Sequence, residues 1–92
     1  MIRSFKCQYT DALSQGQHVR QFLNIAKVAR RKLRQLEIAN RLDDLRVPPG
    51  NRLEALKGDR SGQYSIRIND QWRVCFHWVD GGAENVEIID YH

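Results

Sequence analysis

The chain has 92 residues, 41% of them hydrophobic and 28% charged, and this length accommodates one domain, residues 1–92, with a single modest core. Its net charge of +4 favours a polyanion as the partner, which means RNA, DNA or an acidic protein surface. No apolar run approaches the roughly 20 residues of a membrane span, and the N-terminus lacks the apolar stretch of a signal peptide, so we expect a cytoplasmic protein without membrane contact.

The beginning of the chain predicts a short strand followed by a short helix. Residues 2–5 are apolar enough for a brief first strand. Thr10-Asp11 offers an N-cap for a short helix that ends near Gly16. Further along, residues 40–45 predict a second short helical piece, which stops before Val47-Pro48-Pro49-Gly50, a turn by composition.

A longer helix is predicted between these two pieces, beginning between Gln21 and Ile25. Its apolar residues recur at steps of three and four, which is the helical period. They are Ile25, Val28, Ala29, Leu33 and Leu36. The other face carries Lys27, Arg30, Arg31 and Arg34. That basic face is either a solvated surface or a patch that follows phosphates along a nucleic acid.

Two strands that form a hairpin are predicted in the second half of the chain. Apolar and polar residues alternate from residue 64 to 68 and again from 72 to 78, as in half-buried strands. A three-residue loop, Asn69-Asp70-Gln71, places every large apolar side chain of both strands on one face, whereas a two-residue loop mixes the faces. The same register sets Arg67 directly opposite Arg73. Facing like charges cost stability, and a phosphate between them would compensate that cost.

A second hairpin is predicted around Asp80-Gly81-Gly82, with a last strand over residues 85–91. A two-residue turn at Gly81-Gly82 opposes Arg73 to Asp90 and Gln71 to His92. Residues two apart share a face of a strand, so Asp90 and His92 are expected on the arginine face. That arrangement would gather a base, a carboxylate and two guanidinium groups over one surface.

The individual candidates each have two interpretations. His92 is an acid–base group at neutral pH, or a solvated terminal residue. Arg73 needs a partner mid-strand, which is either an ion pair with Asp90 or Glu87 or a bound phosphate. Lys57 and Arg60 flank Gly58 and are either solvated or close to a ligand.

Several signatures are missing from the sequence. Cys7 and Cys75 match no metal-ligand spacing, and they are expected to be two reduced thiols, with a single disulfide as the alternative. The sequence also contains no glycine-rich phosphate loop of the Walker type and no serine-nucleophile motif. We therefore expect neither a metal nor a cofactor.

Four segments together resemble the HigB branch of the RelE-like toxins, and the similarity extends over essentially the whole chain. They are Leu56-Lys57-Gly58-Asp59-Arg60, Tyr64-Ser65-Ile66-Arg67-Ile68-Asn69, Trp72-Arg73-Val74-Cys75-Phe76 and Asp90-Tyr91-His92. The resemblance implies an α+β protein with the small RelE-like fold, in which two to three N-terminal helices pack on one face of an antiparallel sheet. This agrees with the order of elements predicted above.

The resemblance also implies a type II toxin, an endoribonuclease that enters the ribosomal A site and cuts the messenger RNA there. It implies neutralisation by a helix-turn-helix antitoxin of the HigA kind, through which alone the toxin would contact operator DNA. The family's active-site residues correspond here to Lys57, Arg73, Asp90, Tyr91 and His92. Glu54 stands where some relatives have a histidine. Because a carboxylate near the scissile phosphate is electrostatically unfavourable, we expect Glu54 to point away.

In the mechanism that follows, the RNA supplies its own nucleophile, the 2′-hydroxyl. His92 acts as the base, Asp90 orients it, and Arg73 and Lys57 stabilise the charge that grows on the phosphate. Tyr91 stacks on a base or orients the backbone. Arg60, Arg67 and the helix cations hold ribosomal or messenger phosphates. The alternatives are a non-catalytic toxin of the same fold that acts on DNA gyrase, as the ParE-like toxins do, and a basic RNA-binding module.

Overall fold

A computed structural model describes residues 1–91. The fold is a four-stranded antiparallel meander with helices packed on one face, as the family resemblance implies. The helices are α1 (Gln8–Ser14) and α2 (Ala26–Ile38), and the strands are β1 (Glu54–Ala55), β2 (Tyr64–Arg67), β3 (Trp72–Val79) and β4 (Gly82–Asp90). Short 3₁₀ turns occupy Arg20–Phe22, Leu42–Arg46, Pro49–Asn51 and Gly58–Arg60. His92 lies outside the described residues. None of the helices in residues 1–91 is long and apolar enough to cross a membrane.

The hydrophobic core lies between α2 and one face of the sheet. Helix α2 contributes Ala29, Leu33 and Leu36, and the sheet contributes Ile66, Val74, Phe76, Val86 and Ile88. Because side chains alternate along a strand, the residues between these core positions point to the other face of the sheet. That second face, which carries Ser65, Arg73 and Cys75, is called the open face below.

The first hairpin has the predicted register. Tyr64 pairs with Phe76, Ile66 with Val74, and Arg67 with Arg73. Asn69 stabilises the loop between β2 and β3. Its Oδ1 accepts hydrogen bonds from the backbone N–H groups of Gln71 and Trp72, both at 2.8 Å.

The register predicted for the second hairpin is wrong by one residue, and the face of Asp90 is therefore wrong as well. The turn residues are Asp80 and Gly81, both with positive φ as a tight hairpin requires, and Val79 pairs with Gly82. A bulge then shifts the pairing between Cys75 and His77. As a result Asp90 pairs with Trp72, and Ile89 pairs with Arg73.

The bulge lies at Asn85, where β4 has one residue more than β3. Asn85 has φ +54°, a left-handed conformation that asparagine tolerates better than most residues. The extra residue places both Ala83 and Val86 in the core although they are three apart, and each is fully buried. The core pattern of β4 therefore requires the bulge, and the bulge decides which later residues reach the open face.

The N-terminal predictions hold in part. Residues 2–5 form only isolated parallel bridges with β4, from Ile2 to Ala83 and from Phe5 to Val86. Helix α1 begins at Gln8, so the predicted N-cap at Thr10-Asp11 is wrong. Buried Thr10 instead accepts a hydrogen bond from the backbone N–H of Ile88 through its Oγ1, at 3.0 Å.

We expect Asn85→Val to lower the free energy of unfolding by about 1–2 kcal/mol, because a β-branched residue is strained in the left-handed conformation. Asn85→Gly is the matched control, since glycine adopts this conformation freely. Urea unfolding followed by tryptophan fluorescence measures both variants. Equal stability of the valine and glycine variants would contradict the assignment of the bulge.

Candidate functional site

Arg73 is the centre of the site on the open face. It lies in the middle of β3 and is only 9% exposed. Its Nε donates a hydrogen bond to Ser65 Oγ at 2.7 Å, and its Nη2 donates to the carbonyl oxygens of Arg52 at 2.7 Å and of Ser65 at 3.3 Å. Within residues 1–91 the third nitrogen, Nη1, forms no hydrogen bond. The guanidinium is therefore fixed in orientation by neutral groups and keeps one donor nitrogen for a ligand.

Tyr91 and Glu54 flank this guanidinium. The Tyr91 ring lies with its centroid 5.6 Å from Arg73 Cζ, a cation–π distance. Its backbone N–H donates to the carbonyl of Gln71 at 2.6 Å, which holds the end of the chain beside β3. We call Arg73, Ser65, Arg52, Tyr91 and Glu54 the Arg73 site.

Glu54 does not point away, and that prediction is wrong. Its Oε1 lies 3.8 Å from Arg73 Nε, and its side chain is 49% exposed. The reason is the strand β1, which sequence patterns did not predict: Glu54 pairs with Ser65 and so shares the face of the sheet on which Ser65 meets Arg73. The ion pair of Arg73 is thus with Glu54. The carboxylate of Glu87, considered as a partner from the sequence, pairs with Lys6 and Arg60 instead.

Asp90 does not share the face of Arg73, contrary to the prediction. It lies opposite Trp72, and its Oδ2 accepts a hydrogen bond from Gln71 Nε2 at 3.0 Å. The proposed convergence of Asp90 with Arg73 depended on a register that the bulge in β4 changes. The predicted position of His92 on the same face falls outside the described residues.

The loop cations differ in how far they are already engaged. Lys57 is exposed, precedes the turn Gly58–Arg60 and makes no ion pair within the described part of the chain. Arg60 Nη1 lies 3.2 Å from Glu87 Oε2 and donates to Gln63 Oε1 at the same distance. Arg60 therefore already stabilises the open face, whereas Lys57 is available to an anion.

Arg67 faces Arg73 across the hairpin and is paired with Asp70 in the loop. The hydrogen bond from the Arg67 guanidinium holds the pKa of the Asp70 carboxyl below its usual value, and the charge of Arg52 lowers it slightly further. Asp70 thus relieves part of the repulsion between the two facing arginines. Arg52 is a cation at this site that the sequence analysis missed.

The four helix cations do not converge with Arg73, because α2 packs on the opposite face of the sheet. Lys27, Arg31 and Arg34 are exposed. Arg30 donates to the carbonyl oxygens of Leu13 at 3.2 Å and Gln17 at 2.9 Å, and so ties α2 to the end of α1. These residues remain a predicted nucleic-acid patch, on a surface separate from the Arg73 site.

Cys75 lies next to the site on β3 but offers no nucleophile. Both cysteines are free thiols, and Cys75 is fully buried. Burial raises the pKa of the Cys75 thiol to about 11, so the thiolate is scarce at neutral pH.

The chemistry available at the Arg73 site is recognition of an anion next to an aromatic ring. A guanidinium whose other nitrogens are fixed donates from Nη1 in one direction, which suits a phosphate oxygen. Tyr91 is 43% exposed beside it, and its ring can stack on a planar group. A phosphate linked to a base satisfies both requirements.

Comparison with known proteins gives a consistent family. A model of the RelE-like toxin HigB of type II toxin–antitoxin systems matches residues 4–92. Toxin HigB-1 of Vibrio cholerae is 54% identical over 62 residues, which is 67% of this chain and 64% of that protein. Endoribonuclease HigB of Proteus vulgaris is 42% identical over 41 residues, 45% of each chain. The matched regions thus span less than two thirds of these two relatives.

Solved structures show the same fold at low sequence identity. The YoeB–YefM complex from Staphylococcus aureus contains a chain with TM-score 0.58 and 21% identity, covering 100% of this chain and 98% of that one. YafQ from E. coli has TM-score 0.58 and 16% identity, covering 98% of this chain and 93% of its own.

We expect Glu54→Gln to strengthen binding of a short, 2′-O-methylated RNA, since the glutamate competes with a phosphate for Arg73. An exposed ion pair is worth up to about 1 kcal/mol, which corresponds to about fivefold in affinity. Fluorescence anisotropy at low salt measures this, and the gain should shrink as salt screens the charges.

Glu84→Gln is the matched control, because it removes the same charge from a residue whose carboxylate pairs with Arg3 instead. Equal gains for the two variants would mean that only net charge matters and that Glu54 has no special relation to Arg73.

Proposed function

The chain belongs to the HigB-like family of RelE-like toxins from type II toxin–antitoxin systems, and from that membership we propose that it is an endoribonuclease that cleaves messenger RNA in the ribosomal A site. The name of the Proteus relative, an endoribonuclease, supports the activity. The observation that carries the proposal is the fixed guanidinium of Arg73, whose Nη1 forms no hydrogen bond within residues 1–91 and which lies beside the Tyr91 ring.

The role proposed for Arg73 is stabilisation of the scissile phosphate. When the 2′-hydroxyl attacks phosphorus, negative charge grows on the non-bridging oxygens. A donor that is already oriented pays no reorganisation cost at that moment, and such electrostatic stabilisation is often the largest catalytic term. Exposed Lys57 would add a second positive charge from the turn that follows β1.

Proton transfer is assigned to the C-terminal residues. His92 would accept the proton of the 2′-hydroxyl as the new P–O bond forms. The bond to the 5′-oxygen breaks, and that oxygen takes up a proton from His92 in its acid form or from water. The products would be a 2′,3′-cyclic phosphate and a 5′-hydroxyl. Asp90, two residues before His92 in the sequence, would orient His92.

RNA binding beyond the scissile phosphate would involve several basic residues. Tyr91 would stack on a base next to the cut. Arg67 and Arg60 border the open face, so they would meet phosphates near the active site after exchanging their present carboxylate partners. Lys27, Arg31 and Arg34 would contact ribosomal RNA from the helical layer, and Arg30 would contribute mainly its charge, because its Nε and Nη2 already donate to backbone carbonyls.

Membership of a toxin–antitoxin family supports an antitoxin as the partner of the protein. We propose a helix-turn-helix antitoxin of the HigA kind, which would also mediate any contact with operator DNA. The proposed target, the translating ribosome, places the activity in the cytoplasm. The positive net charge suits a complex with ribosomal RNA.

We expect Arg73→Lys to reduce cleavage of ribosome-bound messenger RNA by about a hundredfold or more, the usual cost of losing one oriented donor to a developing oxyanion. Lysine keeps the charge but not the forked geometry. Single-turnover cleavage on programmed ribosomes measures the loss, and Arg3→Lys is the control. Cleavage within a few-fold of the wild type would remove Arg73 from the reaction.

Deletion of His92 should abolish growth arrest while the protein still folds and binds its antitoxin. Mapping of RNA ends after expression reports the activity directly. Cuts at codons of translated messages are expected for the intact chain and are expected to disappear on deletion. Intact messages together with broken DNA would favour a gyrase poison, and a fully toxic truncation would eliminate His92 as the base.

A further inference from the structure

Lys32 is a buried cation that no step of the proposed reaction uses. It lies on α2, is only 8% exposed, and donates from Nζ to Asn51 Oδ1 at 2.6 Å. No carboxylate of residues 1–91 pairs with it. Burial, followed by the charges of Arg31 and Arg67, lowers the pKa of Lys32. A buried charge held by a neutral amide costs stability, so its contact with Asn51 calls for an explanation other than packing.

Asn51 is the point at which α2 holds the turn Pro49–Asn51. Its side chain is fully buried. Besides accepting from Lys32, it donates from Nδ2 to Gln35 Oε1 at 2.9 Å and to the carbonyl of Leu45 at 3.1 Å. Lys32 and Gln35 are three apart and so share one face of the helix. Two residues of α2 thus hold one side chain of the turn by hydrogen bonds.

The next residue, Arg52, connects the hydrogen-bonded Asn51 to the Arg73 site. It has φ +46°, a left-handed conformation that is costly for arginine and requires the surrounding structure to hold it. Its carbonyl oxygen accepts the hydrogen bond from Arg73 Nη2 at 2.7 Å. The turn therefore carries the chain from the helical layer to the open face, and the direction of the Arg52 carbonyl depends on how firmly Asn51 is held.

We propose that Lys32 and Asn51 are positioning residues for Arg73: by fixing the turn, they hold the Arg52 carbonyl against Nη2 and so direct Nη1 towards the scissile phosphate. The proposal rests on the function of Arg73 proposed above. It assigns to the helical layer a role in the active site on the other face of the sheet, and it explains why a lysine occupies a buried position.

The first test uses the free protein and needs no RNA. Rotation about the Nε–Cζ bond of Arg73 exchanges its two Nη groups and must break the hydrogen bonds of Nη2. NMR of the arginine side-chain nitrogens measures this rotation. We expect it to be slow in the wild type and about fivefold faster in Lys32→Met, the equivalent of one hydrogen bond of about 1 kcal/mol.

The second test measures cleavage on programmed ribosomes. Lys32→Met should lower kcat about fivefold for the same hydrogen bond and leave KM unchanged, because ribosome contacts are not altered. Arg20→Met, which removes an exposed cation that has no role in the proposed reaction, is the control and should change neither value. Asn51→Ser removes the same hydrogen bond by changing its acceptor, and it should reproduce the effects of Lys32→Met.

Several outcomes would overturn the proposal. Free rotation of the Arg73 guanidinium in the wild type would do so whether or not the variants fold. Unchanged rotation in a folded Lys32→Met protein would do so as well. Slow wild-type rotation that Lys32→Met accelerates, in a protein that cuts no RNA, would support the positioning and reject the proposed function, so the two can be told apart.

Discussion

The geometry of the Arg73 site depends on one interaction, the hydrogen bonding of the Arg73 guanidinium to neutral acceptors. A mid-strand arginine that is 9% exposed must have its donors satisfied. Here the Ser65 hydroxyl and two backbone carbonyls satisfy Nε and Nη2. Because these acceptors carry no charge, the carboxylate that balances the positive charge of Arg73 within residues 1–91 is that of the half-exposed Glu54 at 3.8 Å. In the proposed reaction, the scissile phosphate takes over that balance without breaking the contacts that orient the side chain.

The sheet places the hydrophobic core on one face and the Arg73 site on the other. Helix α2 covers one face, and the hairpin of β2 and β3 carries Ser65 and Arg73 to the other. The bulge at Asn85 then sets which residues of β4 accompany them: Glu87 and Ile89 face the same side, whereas Asp90 lies opposite Trp72. Tyr91 follows Ile89 by two residues and reaches the guanidinium. The approach of Tyr91 to Arg73 thus depends on the same bulge that completes the core.

The parts of this arrangement that sequence could predict are those set by local pattern. Alternation predicts the hairpin of β2 and β3, since of the two loop lengths compared only the three-residue loop places Tyr64 on the same face as Val74 and Phe76. The bulge was predictable in principle from the three-residue spacing of Ala83 and Val86, which breaks the alternation of β4. The second hairpin was predicted with Gly82 in the turn. Gly82 instead begins β4, where a Cβ would come within 2.6 Å of Arg3 Nε.

The rest could not be predicted because it depends on contacts between distant segments. Strand β1 has two residues and no pattern, so the approach of Glu54 to Arg73 follows only from its pairing with Ser65. The hydrogen bond from Lys32 of α2 to Asn51 joins residues that are 19 apart and share no motif. Lys57 and Arg73 are candidates from their local sequence as well as from the family motifs, and the family motif adds Tyr91 to the active-site set. Their chemical roles remain proposals, and the position of His92 lies outside the described residues.

The central claim is that Arg73 contacts a non-bridging oxygen of the scissile phosphate, and phosphorothioate substitution tests it most directly. Messenger RNA with sulfur in place of one such oxygen, as separate stereoisomers, is presented on programmed ribosomes. The wild type should cut one isomer much more slowly than the other, because sulfur accepts hydrogen bonds poorly, and Arg73→Met should cut both at the same low rate. An unchanged preference between the isomers in the methionine variant would contradict the contact.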